Sequence, residues 1–292
     1  MSGKGNVMVV NAFTVDLEEW FQGLTSTNPQ VDRWDQFESR VEMATQTLLG
    51  LLRQGRVSAT FFVLGHLADH HPQLVETILS DGHELAIHGY YHRFVHRLSP
   101  DEFRHELEMT IRAVEKISGK APLGHRAPYF SINSSVPWAF RCLAEAGLTY
   151  DSSVFPMKSL LYGFPGAPRF PYRLAREPGI ELVEFPISTL KLGNITFPFA
   201  GGFYLRTLPY FFIRWAVRQL NAKGNPAILY MHPWELDTGQ RYNRVTPRER
   251  LTHYHGRHSL AGKLQALFTD FQFTTLGNLV RHADLRTDRF TM

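Results

Sequence analysis

The sequence passes from a strand-like run to a histidine pair within nine residues, Glu84-Leu85-Ala86-Ile87-His88-Gly89-Tyr90-Tyr91-His92. The apolar start is typical of a buried strand, and the spacing of the two histidines lets both imidazoles face one cation. In α/β barrels, site residues lie just beyond strand ends, in the loops that lead from strand to helix. The stretch therefore predicts a metal site just beyond the end of a strand, a placement typical of α/β barrels.

A pair of carboxylates, Asp16 and Glu18, closes another apolar run far upstream. If residues 13–18 are extended, both side chains point to one side and Leu17 points to the other. One carboxylate can then bind a metal while the other stays free to accept a proton. Two histidines and one carboxylate leave a coordination position open, which is typical of a catalytic divalent metal site. A solvated acidic loop is the alternative interpretation of these two residues.

Strand-like runs alternate with helical runs along most of the chain, which predicts βαβ units and a parallel sheet or barrel. One helix has readable ends, because Ser99-Pro100-Asp101-Glu102 is a capping box and Gly119 is a stop signal. Between about residues 156 and 204, Pro, Gly and aromatic residues indicate long loops at the mouth of the barrel. The predicted strands are 7–15, 57–63, 84–87, 148–150, 180–185, 227–231 and 271–275.

The composition is that of an ordinary globular protein, with 43% hydrophobic and 20% charged residues in a chain of 292. The single cysteine, Cys142, rules out an internal disulfide and a cysteine-based metal site. It lies in an apolar helical run, where we expect a buried packing thiol. The many aromatic residues suit either a thick core or a groove that binds sugar rings.

The N-terminal residues predict the compartment. The apolar run 6–15 is too short for a signal-peptide core with its cleavage site, and acidic residues follow it directly. No run approaches the roughly 18 apolar residues of a membrane span. We therefore expect a cytoplasmic protein.

The stretch 204–217 suits a membrane-surface helix or a buried helix. We expect a buried helix with Arg206, Arg214 and Arg218 extending outward.

A basic stretch near the C-terminus contains a single acid, Glu249. Its basic residues are Arg241, Arg244, Arg248, Arg250, Arg257 and Lys263. One interpretation is a solvated loop, and the other is a patch that binds phosphates on an anionic membrane surface or an anionic sugar carrier. Nucleic acid is not an expected partner, because no binding-domain signature accompanies the patch. The sequence does not indicate an oligomeric state.

Three further motifs place polar side chains beside apolar runs. They are Gly124-His125-Arg126-Ala127-Pro128-Tyr129-Phe130, Tyr150-Asp151-Ser152-Ser153 and Leu229-Tyr230-Met231-His232-Pro233-Trp234. An arginine before a proline-fixed turn can hold a carboxylate through two N–H groups. An aspartate near a histidine can fix the tautomer of the imidazole and stabilise its cation. For His232 taken alone, a packed core histidine is an equally good interpretation.

These motifs occur in the order typical of the polysaccharide deacetylases of carbohydrate esterase family 4, the NodB-homology group, which the chain resembles over nearly its whole length. The segments Ala59-Thr60-Phe61-Phe62-Val63-Leu64-Gly65 and Gly82-His83-Glu84-Leu85-Ala86-Ile87-His88 also resemble that family. The ending, from Arg250-Leu251-Thr252-His253-Tyr254-His255 onward, resembles a bacterial subfamily associated with exopolysaccharide loci. The resemblance implies a distorted (β/α)7-type barrel at residues 1–240, a single domain with long mouth loops, and a C-terminal extension at residues 241–292 packed on it.

The resemblance also implies a role for each catalytic motif. Asp16 would be the catalytic base, and Arg126 would orient it. Tyr129 would lend a backbone N–H to the oxyanion. Asp151 would tune His232, which would be the general acid.

The metal set implied by the resemblance is Glu18, His88 and His92. The cation would be Zn²⁺, with Co²⁺, Ni²⁺ and Mn²⁺ as alternatives. Many family members place two aspartates side by side in the first motif, and the second binds the metal. Here Leu17 stands in that position, and a branch of the family moves the ligand one residue on, which would make it Glu18.

The activity implied is metal-dependent removal of N-acetyl groups from an N-acetylhexosamine-containing polysaccharide or its precursor. Two alternatives stay open. One is hydrolysis of another non-peptide C–N bond, such as that of a small cyclic amide, because a fold does not fix the substrate. The other is a non-catalytic glycan-binding protein, suggested by the altered first motif. Because a cytoplasmic location does not suit a finished extracellular polymer, we expect an N-acetylated glycan or a lipid-linked saccharide at the inner face of the membrane.

Overall fold

Most strands of the protein are short apolar runs, as expected for parallel strands covered on both faces. The computed structural model describes residues 9–157, 163–174, 182–240, 242 and 244–282. Within them the strands are β1 (Asn11–Leu17), β2 (Thr60–Val63), β3 (Glu84–Ile87), β4 (Gly124–His125), β5 (Tyr150–Asp151), β6 (Tyr172–Leu174), β7 (Leu182–Glu184), β8 (Thr189–Leu192), β9 (Ile195–Pro198), β10 (Ile228–Met231) and β11 (Phe273–Thr274). The main sheet has the order β10-β1-β2-β3-β4-β5-β7-β6, with β11 beside β1. Its pairs are parallel except for β6 with β7, while β8 and β9 form a separate hairpin.

Helices connect most of the parallel strands, as the alternation in the sequence predicts. They are α1 (Val41–Gly55), α2 (Gly65–His70), α3 (Pro72–Ser80), α4 (Pro100–Ser118), α5 (Trp138–Glu145), α6 (Gly202–Thr207), α7 (Tyr210–Asn221), α8 (Pro247–Glu249) with a π-helical continuation (Arg250–Tyr254), α9 (Arg257–Asp270) and α10 (Leu276–His282). The capping box is present at the start of α4, where Ser99 Oγ accepts from Glu102 N and the Glu102 carboxylate accepts from Ser99 N. Gly119 ends the helix in the left-handed conformation, at φ 69°. These predicted ends are confirmed.

The sheet curls into a partly open barrel, and irregular backbone bridges its ends. After β7, Phe185 N donates to Asp151 O at 2.8 Å and Ser188 N donates to Ile228 O at 3.2 Å. Farther along, Tyr230 N donates to Ala200 O at 2.9 Å. The chain between β7 and α6 therefore links β5 to β10 without a regular strand ladder. The predicted α/β fold is confirmed, and the barrel is distorted at this seam.

Strand β1 starts later than predicted, at Asn11, and it extends through Asp16 to Leu17. The predicted positions 7 and 8 lie outside the described residues, as do 180 and 181. Strand β4 is only two residues long, too short to be recognised from an apolar pattern. Cys142 is buried, as predicted.

The C-terminal residues contribute to the main sheet. Strand β11 pairs with the start of β1, with Asn11 opposite Phe273, and α9 packs on α1 and α6. The ring of Phe268 on α9 contacts that of Phe13 on β1, with centroids 5.0 Å apart. The residues after 240 are thus part of the core packing around β1. The division into 1–240 and 241–292 stays a prediction.

The predicted helix over 204–217 is two helices, because Pro209 separates α6 from α7. The expectation that Arg206 extends outward is wrong. Its side chain is buried, since the guanidinium pairs with the buried carboxylate of Glu235. Arg218 is exposed, as expected. No helix of the described residues combines the length and the apolar character that crossing a bilayer requires.

The basic stretch is only partly a surface feature. Arg257 is buried, and the Lys263 ammonium donates to backbone carbonyls at the end of α6. Arg244, Arg248 and Arg250 are exposed. Arg241 lies outside the described residues.

Candidate active site

The predicted motifs meet at one edge of the sheet. Strands β10, β1, β2, β3 and β4 are parallel neighbours, so their carboxyl ends lie side by side. Asp16 lies near the end of β1, and His88, Arg126 and His232 directly follow β3, β4 and β10. A cavity of about 840 Å³ opens there. Its lining includes Asp16, Glu18, His88, His92, Tyr129 and His232.

Glu18, His88 and His92 form a buried cluster whose donor atoms all lie within 4.8 Å of one another. The chain turns between the two histidines at Gly89, which has a φ of 73°, and His92 itself has a φ of 52°. A positive φ at a residue other than glycine costs energy and is concentrated at functional sites. The backbone here is therefore arranged to bring both imidazoles to the carboxylate.

Hydrogen bonds fix the orientation of both rings. His88 Nδ1 lies 2.8 Å from Arg126 O, and His92 Nδ1 lies 3.1 Å from Asn28 Oδ1. The Asn28 amide is oriented by its own donation from Nδ2 to His92 O at 3.0 Å. Both acceptors call for a proton on Nδ1, which leaves the Nε2 lone pairs available as ligands.

The cluster fits a divalent cation. Burial lowers the pKa of His88 to about 4, so its imidazole is neutral at pH 7. His92 Nε2 and Glu18 Oε2 lie 2.7 Å apart, yet Oε2 is a buried oxygen without a well-aligned hydrogen bond. Two electron-rich atoms that close need a proton or a cation beside them. Two imidazoles and a carboxylate are a donor set that zinc accepts in catalytic sites.

Glu18 is held in its ionised form. Burial alone would raise its pKa, but positive charge on the neighbouring His92 and His232 outweighs burial and holds the pKa well below its usual value. Its other oxygen, Oε1, accepts from Trp234 Nε1 at 3.0 Å. The carboxylate is thus oriented on one side by an indole and offers Oε2 to the cluster.

The carboxylate of Asp16 is held by the guanidinium of Arg126. Arg126 Nη1 lies 2.6 Å from Asp16 Oδ1, and both side chains are buried. The same guanidinium donates to Thr14 Oγ1 and to the Oγ and carbonyl oxygen of Ser152. It also lies over the ring of Phe62, 4.1 Å from the centroid. Asp16 Oδ2 is left to face the cavity.

His232 lies across from these carboxylates. Its Nε2 is 3.5 Å from Glu18 Oε1 and 3.9 Å from Asp16 Oδ2. Its Nδ1 is 2.6 Å from Glu235 Oε1. Burial would lower the pKa of His232, but the carboxylates of Glu18, Glu235 and Asp16 outweigh it and raise the pKa to about 9. The imidazole can therefore carry a proton into the cavity at neutral pH.

The expected pairing of Asp151 with His232 is wrong. Asp151 Oδ1 lies 2.7 Å from His125 Nδ1, and the carboxylate also accepts from the hydroxyl and the backbone N–H of Ser153. The reason is strand register, because Asp151 on β5 stands opposite His125 on β4 and Glu184 on β7. Neighbours in a parallel ladder share a face, so Asp151 faces these residues. The carboxylate that contacts the His232 imidazole is that of Glu235.

His125, Asp151 and Glu184 are neighbours on one face of the sheet, and two of them are buried carboxyl groups. Burial, and then the charge of Asp151, raise the pKa of Glu184 well above its usual value. Burial would raise the pKa of Asp151 as well, but the hydrogen bond and charge of His125 outweigh it and lower that pKa. Of the two carboxyl groups, Glu184 is therefore the one that holds a proton more strongly. Glu184 Oε1 accepts from Val154 N at 3.0 Å.

We expect Glu184→Gln to remove a pH-dependent cost of folding. The folded pKa of Glu184 is raised, so its contribution to stability is complete below pH 4.5 and is lost as pH rises toward the folded value. The free energy of unfolding of the wild type should then fall, relative to the variant, by up to about 1.4 kcal/mol per pH unit. Urea unfolding of both proteins across this pH range measures the difference. Parallel curves would contradict the assignment of the proton to Glu184.

Tyr129 lies beside the cluster of Glu18, His88 and His92 in a strained turn. It has a φ of 56°, and its ring centroid is 4.5 Å from that of His92. The hydroxyl donates to Gln22 O at 2.9 Å, and the ring stacks on Phe94. These contacts hold the backbone of the turn at the edge of the cavity. The oxyanion role of its N–H stays a prediction.

Four further residues of the site were not predicted from the sequence: Asn28, Arg206, Trp234 and Glu235. Asn28 has no local signal, because it reaches His92 from a loop 64 residues away. Glu235 follows His232 by three residues in a turn that starts with Pro233. That spacing was a usable signal, since residues three apart in a helical turn face each other.

Comparison with known proteins agrees with this geometry. The polysaccharide deacetylase family matches residues 34–150, and a domain of unknown function, DUF3473, matches residues 152–281. A peptidoglycan-N-acetylglucosamine deacetylase of Bacillus cereus is 30% identical over 159 residues, which are 54% of this chain and 67% of that protein. Three other curated relatives match over shorter segments, and the chain spans 20–35% of their length. The chain belongs to the polysaccharide deacetylase family, the NodB-type group of carbohydrate esterase family 4.

Solved structures share the fold. A Mycobacterium smegmatis protein assigned to the polysaccharide deacetylases superposes with a TM-score of 0.64 at 24% identity, covering 100% of this chain and 96% of its own. The allantoinase PuuE superposes with a TM-score of 0.63 at 15% identity, covering 99% of this chain and 94% of its own. At these identities, the superpositions describe the architecture and not the substrate.

Proposed function

We propose that this protein is a metal-dependent hydrolase that removes N-acetyl groups from an N-acetylhexosamine-containing glycan or its precursor. The observation that carries the proposal is the convergence of Glu18, His88 and His92 in one cavity with free atoms of Asp16 and His232. The names of relatives, which include a peptidoglycan-N-acetylglucosamine deacetylase, support the substrate class. The subfamily associated with exopolysaccharide loci is part of the proposal.

The proposed metal ligands are Glu18, His88 and His92, and the proposed cation is Zn²⁺, with Co²⁺, Ni²⁺ or Mn²⁺ as alternatives. A divalent cation bound there would supply Lewis acidity and would lower the pKa of water toward neutrality. The side chains around the cluster do the remaining work. They hold the acetamide, move protons and exclude bulk water.

Asp16 is the proposed base, because Arg126 occupies its Oδ1 and leaves Oδ2 facing the cavity. It takes a proton from the attacking water, whose oxygen bonds to the acetamide carbon. The backbone N–H of Tyr129 is the proposed donor to the developing oxyanion. His232 then protonates the nitrogen as the C–N bond breaks, because an amide nitrogen leaves poorly without its proton. Acetate and a free amino sugar result, and general acid catalysis of this kind contributes roughly 10²–10⁴-fold.

The alternative of a non-catalytic glycan-binding protein follows from Leu17 in the first motif. The position of Glu18 supports catalysis instead, because its carboxylate lies in the cluster with both histidines. Metal analysis of the purified protein distinguishes the two. Absence of a bound cation, with no uptake that depends on His88, would favour the binding protein.

The substrate we propose is an N-acetylated glycan or a lipid-linked saccharide, met in the cytoplasm at the inner face of the membrane. The exposed Arg244, Arg248 and Arg250 support contact with an anionic surface. Arg248 also lines the cavity. Co-sedimentation with vesicles that is indifferent to anionic lipid would count against this contact.

The experiment that tests the proposed function is an acetate-release screen with the metal-supplemented protein. Monomeric, oligomeric and lipid-linked N-acetyl sugars are offered in parallel with a small cyclic amide. We expect acetate from at least one of the sugars and no opening of the cyclic amide. Opening of the cyclic amide without acetate release would favour the other C–N hydrolase class.

A further inference from the structure

We infer that Arg206 and Glu235 are positioning residues for His232, and that the C-terminal segment Thr252–Arg257 holds them in place. The inference rests on the proposed function, in which His232 delivers a proton to the leaving nitrogen. It assigns a part of the active site to residues outside the predicted motifs.

Glu235 is bound on both of its oxygens. Its Oε1 lies 2.6 Å from His232 Nδ1, and its Oε2 lies 2.6 Å from Arg206 Nε. The turn Pro233–Leu236 sets this geometry, because Glu235 N donates to His232 O at 3.1 Å and closes the loop between them. Glu235 and Arg206 are buried, so their charges compensate each other away from water. A carboxylate fixed in this way has one orientation to offer the imidazole.

Arg206 is in turn held by the backbone of the C-terminal segment. Its Nη2 donates to Thr252 O at 2.7 Å, and its Nη1 donates to His255 O. The approach is close, because a Cβ on Gly256 would lie 2.7 Å from Arg206 O. At the other end of α6, a Cβ on Gly202 would lie 1.8 Å from Glu235 Oε1. Glycines at both places let α6 fit between the turn after β10 and the C-terminal segment.

Aromatic stacking restrains the same imidazole. The ring of His232 stacks on Trp234 at 4.9 Å and 15°, and His253 stacks on Trp234 at 4.1 Å and 20°. The Arg257 guanidinium lies over the same indole, 5.2 Å from the centroid. The C-terminal segment thus reaches His232 by two routes, through Arg206 and through Trp234.

The consequence for His232 is a fixed proton position. A carboxylate at Nδ1 holds the Nδ1–H bond, so Nε2 is the atom that faces the cavity, toward Glu18 and Asp16. Without Glu235 no carboxylate holds the Nδ1–H bond, so the stacked imidazole can change tautomer. Proton delivery to a poor leaving group would then fail, while attack on the carbonyl would not.

The test compares two substrates of the metal-loaded full chain. Glu235→Gln is expected to lower kcat for N-acetyl release from an acetylated chito-oligomer by about 10²-fold or more, the contribution of general acid catalysis, with KM little changed. Hydrolysis of p-nitrophenyl acetate should change little, because nitrophenolate leaves without a proton. Arg206→Lys should show the same selective loss. Equal loss on both substrates, or no loss on either, would overturn the inference.

A matched control lies two residues away. Asp237 forms a comparable ion pair with Arg40, with bonds of 2.5 and 3.0 Å, and does not contact His232. Asp237→Asn therefore removes a nearby ion pair without touching the proton donor. We expect its ratio of amide to ester activity to equal that of the wild type.

A second measurement needs no substrate and so stands apart from the proposed function. In histidine-¹⁵N-labelled protein, the Nδ1–H proton of His232, assigned by its loss in His232→Asn, should lie downfield in the wild type and in Asp237→Asn. It should move upfield or vanish in Glu235→Gln. An unchanged resonance in Glu235→Gln would overturn the inference even if the glycan assay fails for every protein.

Discussion

Asp16→Asn should retain the bound metal and lose acetate release. The asparagine keeps an oxygen for Arg126 and leaves Glu18, His88 and His92 untouched, so metal binding persists. It cannot accept the proton of the attacking water, and loss of a general base costs roughly 10²–10⁴-fold in rate. Metal content by plasma emission spectrometry and acetate release on the same preparation measure both properties.

His88→Ala is the matched comparison. It removes a ligand candidate and the contact with Arg126 O, so both metal and activity should be lost. The two variants together separate a base from a ligand. Full activity in metal-loaded Asp16→Asn would contradict the role of Asp16, and wild-type metal content in His88→Ala would contradict the proposed ligand set.

Arg126→Met should be the most destabilising of the ion-pair variants. Arg126 is fully buried and bonds Thr14, Asp16 and Ser152, so its removal leaves the Asp16 carboxylate uncompensated inside the protein. Breaking a buried pair in this way costs about 3–5 kcal/mol. Urea unfolding monitored by tryptophan fluorescence gives the free energy of unfolding.

The control is Arg104→Met, which removes partly exposed ion pairs with Asp101 and Glu145. Water screens exposed ion pairs, so they contribute little to stability and this variant should remain close to the wild type. Adding Asp16→Asn to Arg126→Met should recover part of the lost stability, because the unpaired charge is then gone. Equal losses for the two arginine variants would contradict the account of a buried pair.

The sequence predicted the parts of the fold and site that follow from local order. Alternating strands and helices indicated the parallel strands β1, β2, β3, β5 and β10, and the carboxyl ends of β1, β3 and β10 bring Asp16, His88 and His232 together. The hairpin of β8 and β9 and the irregular seam between β7 and β10 were not predicted. Their contacts depend on how loops far apart in the chain meet. The hydrophobic periodicity of a sequence contains no information about such contacts.

The same reason explains the errors at His232. Asp151 has the right chemistry for the partner, but the register of β4 and β5 places it against His125. Arginine is a residue type usually found at the surface. Arg206 is buried because α6 packs against the C-terminal segment. Contacts between distant segments decided both cases. Glu235, three residues from His232, was within reach of sequence reasoning.

We propose that the cluster of Glu18, His88 and His92 makes this chain a metal-dependent deacetylase. The most direct measurement is acetate release from an acetylated chito-oligomer by chelator-stripped protein before and after addition of zinc. The account predicts no release from the stripped protein, and release restored by about one equivalent of zinc in the wild type but not in His88→Ala. Release that persists without metal, or a zinc-loaded wild type that frees no acetate from this or any other N-acetyl glycan, would contradict it.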